Sequence, residues 1–168
     1  VPDDVLRTYT LCVLAEAAVV VGDREQAAAL RPLIDASADT MASIAGIAYW
    51  GARRRYLGLI DHLLGDLDSA VALLAQAEQE HEAMRSPPWV ARTRYDLARV
   101  LIDRDADGDR AEARRLLDAA LDTGREIGAA RLVEQALTEK VARQGLSGSD
   151  PGSSIDLLAA AAAAAMSM

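Results

Sequence analysis

Residues 57–77 read LGLIDHLLGDLDSAVALLAQA, two apolar segments that meet at the pair Gly65-Asp66. Glycine can take the left-handed conformation that ends a helix, and aspartate can cap the next helix and complement its dipole. Ala70 and Leu73 follow the glycine at five and eight residues, a spacing that places both on one helix face. This stretch predicts a helix, a tight turn and a second helix.

The same pattern occurs three times along the chain. Gly-Asp pairs also stand at residues 22–23 and 108–109, so each pair lies 43 residues after the one before it. Behind every glycine, alanine follows at five residues and leucine at eight: Ala27 and Leu30, Ala70 and Leu73, Ala113 and Leu116. A period of this length is typical of an α-solenoid, in which antiparallel helix pairs stack side by side. We expect an all-α solenoid of about three to four such repeats.

Proline and glycine mark the boundaries between the predicted helices. Ser86-Pro87-Pro88 separates the second unit from the third, because proline cannot continue a helix interior, and Trp89 then opens a new helix. The third turn, residues 105–109, is longer than the other two. After Gly128, a further helix is predicted over residues 129–143.

These boundaries divide the chain into three parts. We expect a repeat domain over residues 1–143 and a flexible linker over residues 144–153, where glycine and serine are frequent. Residues 154–168 include a run of alanines, which form a helix readily, and we expect a helix there that caps the stack.

The composition favours helices and argues against nucleic-acid binding. Hydrophobic residues make up 51% of the 168 residues, but aromatic residues only 4% and phenylalanine is absent, a balance that favours packed helices over a β-sandwich. The chain has 26 acidic and 18 basic residues, and the resulting net charge of -8 repels a phosphate backbone. We expect no direct contact of this domain with nucleic acid.

Membrane insertion and export are not expected either. No run of about 18 uncharged apolar residues appears before the C-terminal tail, and Asp3 and Asp4 stand where a signal peptide would carry Lys or Arg. The single cysteine, Cys12, cannot form an internal disulfide, which favours a reducing cytoplasm. Because the chain begins at Val1 without Met, we expect a fragment of a larger protein.

The sequence carries no motif for catalysis, a cofactor or a metal. Gly-x-Gly-x-x-Gly, Walker and Gly-x-Ser-x-Gly motifs are absent, so we expect neither an enzyme nor a cofactor. His62 and His81 are too far apart for a two-histidine metal motif, and His81 is expected on a helix surface. The aspartates of residues 105–109 suggest a calcium loop, but Leu116 stands where calcium needs a bidentate Glu. We therefore expect no metal site.

The second unit resembles a tetratricopeptide repeat, because its small and large residues follow the order of that family. These residues are Leu57, Gly58, Gly65, Asp66, Leu67, Ala70, Leu74 and Ala77. The third unit, from residue 111 to residue 136, is similar to the helical repeats of large bacterial signalling ATPases, including LuxR-type and MalT-like regulators. The resemblance covers residues 1–143 and departs from the pattern at Arg31 and Pro32, where apolar residues are expected.

The resemblance also implies a binding surface, because in these families the first helix of each pair lines a concave groove. The corresponding positions here are Tyr9, Cys12, Glu16, Arg55, Leu59, His62, Arg92, Tyr95 and Arg99. Arginine beside tyrosine suits a carboxylate terminus, an acidic peptide or a phosphorylated ligand. The alternative is that Arg92 and Arg99 only pair within their own helix, with Asp96 and Asp103.

Three residues are expected to pack rather than to bind. Cys12 lies in an apolar helical stretch and has no basic partner nearby in the sequence, so it is expected to be buried as a small hydrophobic residue. Trp50 and Trp89 are expected to anchor neighbouring units against each other.

Together, these features predict a non-catalytic binding or sensor domain of a bacterial transcriptional or signalling regulator. Its partner is expected to be a protein, a peptide or a small acidic ligand. The alternative is a structural scaffold without a ligand, which spaces other domains or forms a homo-oligomer through exposed apolar ends.

Overall fold

The structure of the chain is a computed structural model that describes residues 5–36, 43–44 and 48–144. Helices make up nearly all of the secondary structure in this part of the chain, which confirms the predicted all-α class. Its helices are α1 (Val5–Val21), α2 (Arg24–Asp35), α3 (Arg53–Leu64), α4 (Leu67–Ala83), α5 (Pro87–Arg104), α6 (Asp109–Glu126) and α7 (Ala130–Gln144). Two antiparallel strands of two residues each, β1 (Ser43–Ile44) and β2 (Ala48–Tyr49), lie between α2 and α3.

The first two Gly-Asp pairs form the predicted turns between helices. Gly22 and Gly65 have φ angles of 75° and 90°, in the left-handed region that glycine reaches without strain. The aspartates cap the following helices: Asp23 accepts a hydrogen bond from the Gln26 amide at 3.0 Å, and Asp66 accepts one from the Ser69 amide at 3.2 Å. The prediction is confirmed at both positions.

The third turn is built differently. Asp105 takes a left-handed conformation, with φ of 50°, at the end of α5, and Gly108 precedes the first turn of α6. Asp109 is therefore the first residue of α6 and not its cap, and it accepts hydrogen bonds from Arg104 and from the Ala106 amide at 2.7 to 3.0 Å. Arg110 binds Asp105 at 2.6 Å, so both carboxylates are held by arginine, an arrangement that disfavours calcium binding.

The ends of the later helices follow the proline and glycine signals. Helix α5 begins with Pro87, whose missing amide hydrogen costs nothing in the first turn of a helix. Gly128, with φ of 69°, lies between α6 and α7. Helix α7 includes Gln144, the first residue of the predicted linker, and the rest of that linker and the predicted capping helix lie outside the described residues.

The helices pack against one another in chain order. Each helix contacts the next, and the odd-numbered helices also contact one another in the order α1, α3, α5, α7. Within the described ranges, neither α1 nor α2 contacts α6 or α7. Helix α2 therefore packs against both α1 and α3, and helix α4 packs against both α3 and α5.

Small residues allow the helices to approach closely. Ala27, Ala70 and Ala113 are all buried, as their shared position in the repeat predicts. A Cβ atom on Gly58 would lie 2.7 Å from the Leu74 side chain, so α3 and α4 meet where only glycine fits without a shift. Leu74 is fully buried in the core, whereas its neighbour Leu73, the repeated leucine, is only half-buried.

Arg31 and Pro32, the departures from the repeat pattern in α2, have a structural explanation. Arg31 donates two hydrogen bonds to Asp61 of α3, at 2.5 and 2.8 Å. The Asp61 side chain is only 2% exposed and also accepts a hydrogen bond from Ser69 at 2.6 Å. Pro32 is exposed to solvent and does not end the helix. Arg31 therefore replaces an apolar contact between α2 and α3 with an ion pair.

Candidate functional site

The predicted binding residues lie on α1, α3 and α5, the odd-numbered helices that contact one another. We refer to the surface formed by Tyr9, Glu16, Arg55, His62, Arg92, Tyr95 and Arg99 as the odd-helix surface. Residues that are far apart in sequence meet there: the carboxylate of Glu16 accepts a hydrogen bond from Arg92 at 2.9 Å, although 76 residues separate them.

Glu16 stands at the centre of a charge network that crosses three helices. Its carboxylate lies 2.9 Å from Arg92 of α5 and 3.6 Å from Arg55 of α3. Arg55 in turn donates to Asp96 of α5 at 2.7 Å. Of the two pairs in the predicted alternative, Arg92 with Asp96 is not among the ion pairs of the described residues, because Asp96 pairs with Arg55 and Arg92 with Glu16.

Arg55 is the buried member of this network, with only 2% of its side chain exposed. Its guanidinium lies over the rings of Tyr56 and Trp89, at 5.3 and 5.6 Å from their centroids. Burial disfavours its charge, but Asp96 and Glu16 outweigh that effect, so the pKa of Arg55 is raised. Its charge is balanced within the protein, and the exposed cation of the network is Arg92, with a side chain 53% exposed.

Tyr95 and Arg99 form a second feature of the surface, one turn further along α5. The Arg99 guanidinium lies 5.9 Å from the centroid of the Tyr95 ring. None of the ion pairs between described residues involves Arg99. Burial raises the pKa of the Tyr95 hydroxyl, and the nearby Arg99 charge opposes that shift. The pair thus offers a cation beside an aromatic ring whose hydroxyl stays protonated.

The remaining predicted positions mainly join the helices. His62 lies 2.8 Å from Asp103 and links α3 to α5. Tyr9 packs edge-on against Trp50, at 5.1 Å between ring centroids. Leu59 is buried. Cys12 is also buried, as predicted, and burial raises the pKa of its thiol to about 12, so the thiol stays protonated at neutral pH.

An aromatic cluster between the β-hairpin and α5 was not predicted as a unit. It consists of Tyr9, Tyr49, Trp50, His81 and Trp89, whose neighbouring rings lie 5.1 to 6.3 Å apart. Trp50 contacts both Tyr9 of α1 and Trp89 of α5, so the expectation that the two tryptophans join neighbouring units is confirmed.

His81 is fully buried, and its predicted position on a helix surface is wrong. The Ala52 amide donates to its Nε2 atom at 2.8 Å, so Nδ1 carries the proton and donates to the Thr93 hydroxyl at 3.0 Å. Burial, with the charge of Arg55, lowers the pKa of His81 to about 4. The sequence contained a signal: Ala70, Leu74, Ala77 and His81 follow one another at helical spacing, and all are buried.

The rest of the described chain offers little for chemistry. No group of three His, Cys, Asp or Glu side chains in residues 5–36 and 48–144 is arranged to hold a metal ion. A shallow cleft of about 210 Å³ lies between α6 and α7, away from the odd-helix surface, and is lined by both charged and apolar residues, such as Asp118, Lys140 and Leu137. None of the helices in the described part of the chain has the length and apolar character needed to cross a membrane.

Comparisons of the chain with models of protein families, with curated proteins and with solved structures gave no match.

Proposed function

We propose that this chain is a tetratricopeptide-like helical-repeat domain that binds a protein, a peptide or a small acidic ligand on its odd-helix surface. The observation that supports this most directly is Arg99. It stands beside Tyr95 without an ion-pair partner among the described residues, in a protein of net charge -8. A cation in this position is available to a carboxylate or phosphate of a ligand.

The neighbouring network supports the same class of ligand. Arg92 is half exposed and is bound by the single carboxylate of Glu16, which Arg55 also approaches. An acidic group of a ligand would replace Glu16 as the partner of Arg92, while Glu16 would keep Arg55. The surface would then bind acidic ligands without leaving a buried charge unpaired.

The proposed role is regulatory and not catalytic. Glu16, Arg55 and Arg92 belong to α1, α3 and α5, so a ligand that changes their pairing would change how these helices contact one another. In keeping with the resemblance to LuxR-type and MalT-like regulators, we place such a domain in a cytoplasmic bacterial regulator, where the ligand would alter the restraint on an effector domain.

A titration with acidic peptides tests this proposal. Peptides selected from a library of acidic sequences would be titrated into the chain by calorimetry at low and at physiological salt. We expect Arg99→Ala and Arg92→Ala each to weaken binding about fivefold to tenfold, which is the worth of one exposed charge-assisted contact. Arg114→Ala is the matched control, since Arg114 is an exposed arginine on α6. Equal affinities in all four proteins would contradict the proposal.

The alternative is a scaffold that spaces other domains or self-associates without a ligand. The observation that favours it is the group of exposed apolar side chains at the N-terminal end, Leu14, Val20, Val21 and Leu33. Absence of any acidic ligand together with dimerisation in light scattering would favour the scaffold.

A further inference from the structure

One face of α1 carries exposed apolar side chains. The equivalent face is buried in the later odd-numbered helices, α3 and α5. Leu14, Ala17 and Val21 are spaced by three and four residues and therefore form one stripe, which we call the α1 outer stripe. Leu14 is 49% exposed and Val21 is 76% exposed. Large apolar side chains in a continuous exposed stripe indicate a surface that another molecule or segment covers.

The repeat identifies the equivalent positions in α3 and α5. Moving the α1 outer stripe by the 43-residue period gives Leu57, Ile60 and Leu64 of α3. Leu57 and Ile60 are 2% and 0% exposed, and Leu64 is half-buried. They share a buried cluster with Ala27, Leu30 and Ile34 of α2, the second helix of the preceding pair.

The same comparison holds for α5. The third unit is displaced by 40 residues, so the equivalent positions are Leu97, Val100 and Arg104. Leu97 and Val100 are 5% and 0% exposed and share a buried cluster with Ala70 and Leu74 of α4. In both cases, the face that is exposed on α1 is covered by the second helix of the pair before it.

Polar contacts at both ends of the covering helix fix its direction relative to the helix that it covers. Arg53, at the start of α3, donates to the Ile34 carbonyl at the end of α2, and Arg24, at the start of α2, donates to the Leu64 carbonyl at the end of α3. Thr93 with His81, and Arg104 with Asp68, join α5 to α4 in the same way. Both covering helices therefore run antiparallel to the helix that they cover.

The charge on α1 suits an apolar occupant. Glu16 is the single acidic residue in α1, and it faces the opposite way, toward Arg55 and Arg92. On a chain of net charge -8, the α1 outer stripe is thus a face without acidic side chains. It contrasts with α3, where Asp61 requires Arg31 as a partner from the covering helix.

The geometry points to a docking surface on α1 for an amphipathic helix of the kind that α2 and α4 represent, bound antiparallel to α1 through a face of alanine and leucine. The occupant spans at least the stripe from Leu14 to Val21, about 10 Å at 1.5 Å per residue. Binding of this helix requires neither the odd-helix surface nor a ligand for that surface.

A fused helix tests this inference on the full chain. A copy of residues 67–86, which contains α4 and the turn that follows it, would be joined ahead of residue 1. We expect the fused chain to unfold at a temperature about 5 °C or more above that of the original chain, because the stripe becomes buried. The matched control is the same fusion with Leu74→Glu in the added copy only, which should unfold at the temperature of the original chain.

Leu14→Glu identifies the place where the added helix binds. In the original chain this substitution falls on a half-exposed position and should change the unfolding temperature by less than about 2 °C. In the fused chain it should remove the gain. No gain on fusion, or a gain that persists with Leu14→Glu, would overturn the inference. A dimer of the original chain in sedimentation that Leu14→Glu abolishes would also overturn it, because the stripe would then belong to a second copy.

Discussion

His81 shows how one buried side chain couples this fold to pH. Its pKa in the folded protein is about 4, against 6.5 for the free side chain, because burial disfavours the charged form. Between these two values the unfolded chain binds more protons than the folded one, so the stability contributed by neutral His81 is complete above pH 6.5 and falls as the pH drops toward 4.

Urea unfolding at pH 6.5 and at pH 5 tests this loss of stability at lower pH. The original chain should lose about 1.5 kcal/mol from His81 over this interval. The glutamine of His81→Gln can still accept a hydrogen bond from Ala52 and donate one to Thr93, but it does not titrate. The loss of stability in this variant should therefore be smaller by about 1.5 kcal/mol. Equal losses in the two proteins would show that His81 is not buried in its neutral form.

Arg31 and Asp61 provide a second test at the residue scale. Arg31→Ala leaves the Asp61 carboxylate, 2% exposed, with Ser69 as its remaining side-chain partner. Because Arg31 itself is about one-third exposed, water would compensate for part of the loss. We expect a loss of about 2 kcal/mol in urea unfolding.

Arg115→Ala is the control for Arg31→Ala. Arg115 makes the same type of two-bond contact, with Glu112, but both side chains are exposed on α6. Its loss should be below about 0.5 kcal/mol. A loss as small as this in Arg31→Ala would contradict a structural role for the α2–α3 ion pair.

Residue spacing predicted which positions are buried better than it predicted their partners. The alanines of the repeat are buried as expected, since their burial follows from the helix period alone. The burial of Arg55 and His81 was harder to predict, because it depends on Asp96 and Thr93, which are 41 and 12 residues away. Such pairings arise only when separate helices meet.

At the scale of helices, the close contact of α3 and α4 depends on Gly58. Gly58→Ala would bring a Cβ atom to 2.7 Å from Leu74 and 3.2 Å from the Ala70 carbonyl. Alanine favours a helix by up to about 1 kcal/mol relative to glycine, but the crowding in a packed core outweighs this. We expect a net loss of about 1 to 2 kcal/mol in thermal or urea unfolding.

Gly124→Ala is the comparison variant, in which the added Cβ atom meets a milder steric conflict. There the added Cβ would lie 3.0 Å from a methyl group of Val133, with no backbone atom closer than 3.9 Å, so a small movement of one side chain suffices. Its loss should be smaller than that of Gly58→Ala. The contact between α3 and α4 would be looser than described if Gly58→Ala were as stable as the original chain.

The helices and their turns could be predicted from the sequence because their signals are local. Gly65-Asp66 ends one helix and caps the next through atoms within a few residues. The third turn differs from the prediction, because Asp109 accepts hydrogen bonds from Arg104 and does not cap α6. The short strands at Ser43–Ile44 and Ala48–Tyr49 were not predicted, because two residues are too few for an alternating pattern.

At the scale of the whole molecule, the described helices pack in chain order, and neither α1 nor α2 contacts α6 or α7. Each helix contacts the next, odd-numbered helices contact odd-numbered neighbours, and α2 contacts only α1 and α3 among the described helices. The odd-helix surface and the α1 outer stripe both follow from this order. The order of packing depends on contacts between units that no single unit encodes.

Methyl-to-methyl nuclear Overhauser effects test this order most directly. With labelled isoleucine, leucine and valine methyl groups, we predict cross-peaks between Ile34 and Leu57 or Ile60, and between Leu74 and Leu97 or Val100. We predict none between the methyl groups of α2 and those of α6 or α7. Cross-peaks between Leu30 and Leu116 would mean that α2 and α6 meet in a closed bundle, and would contradict the stacked arrangement.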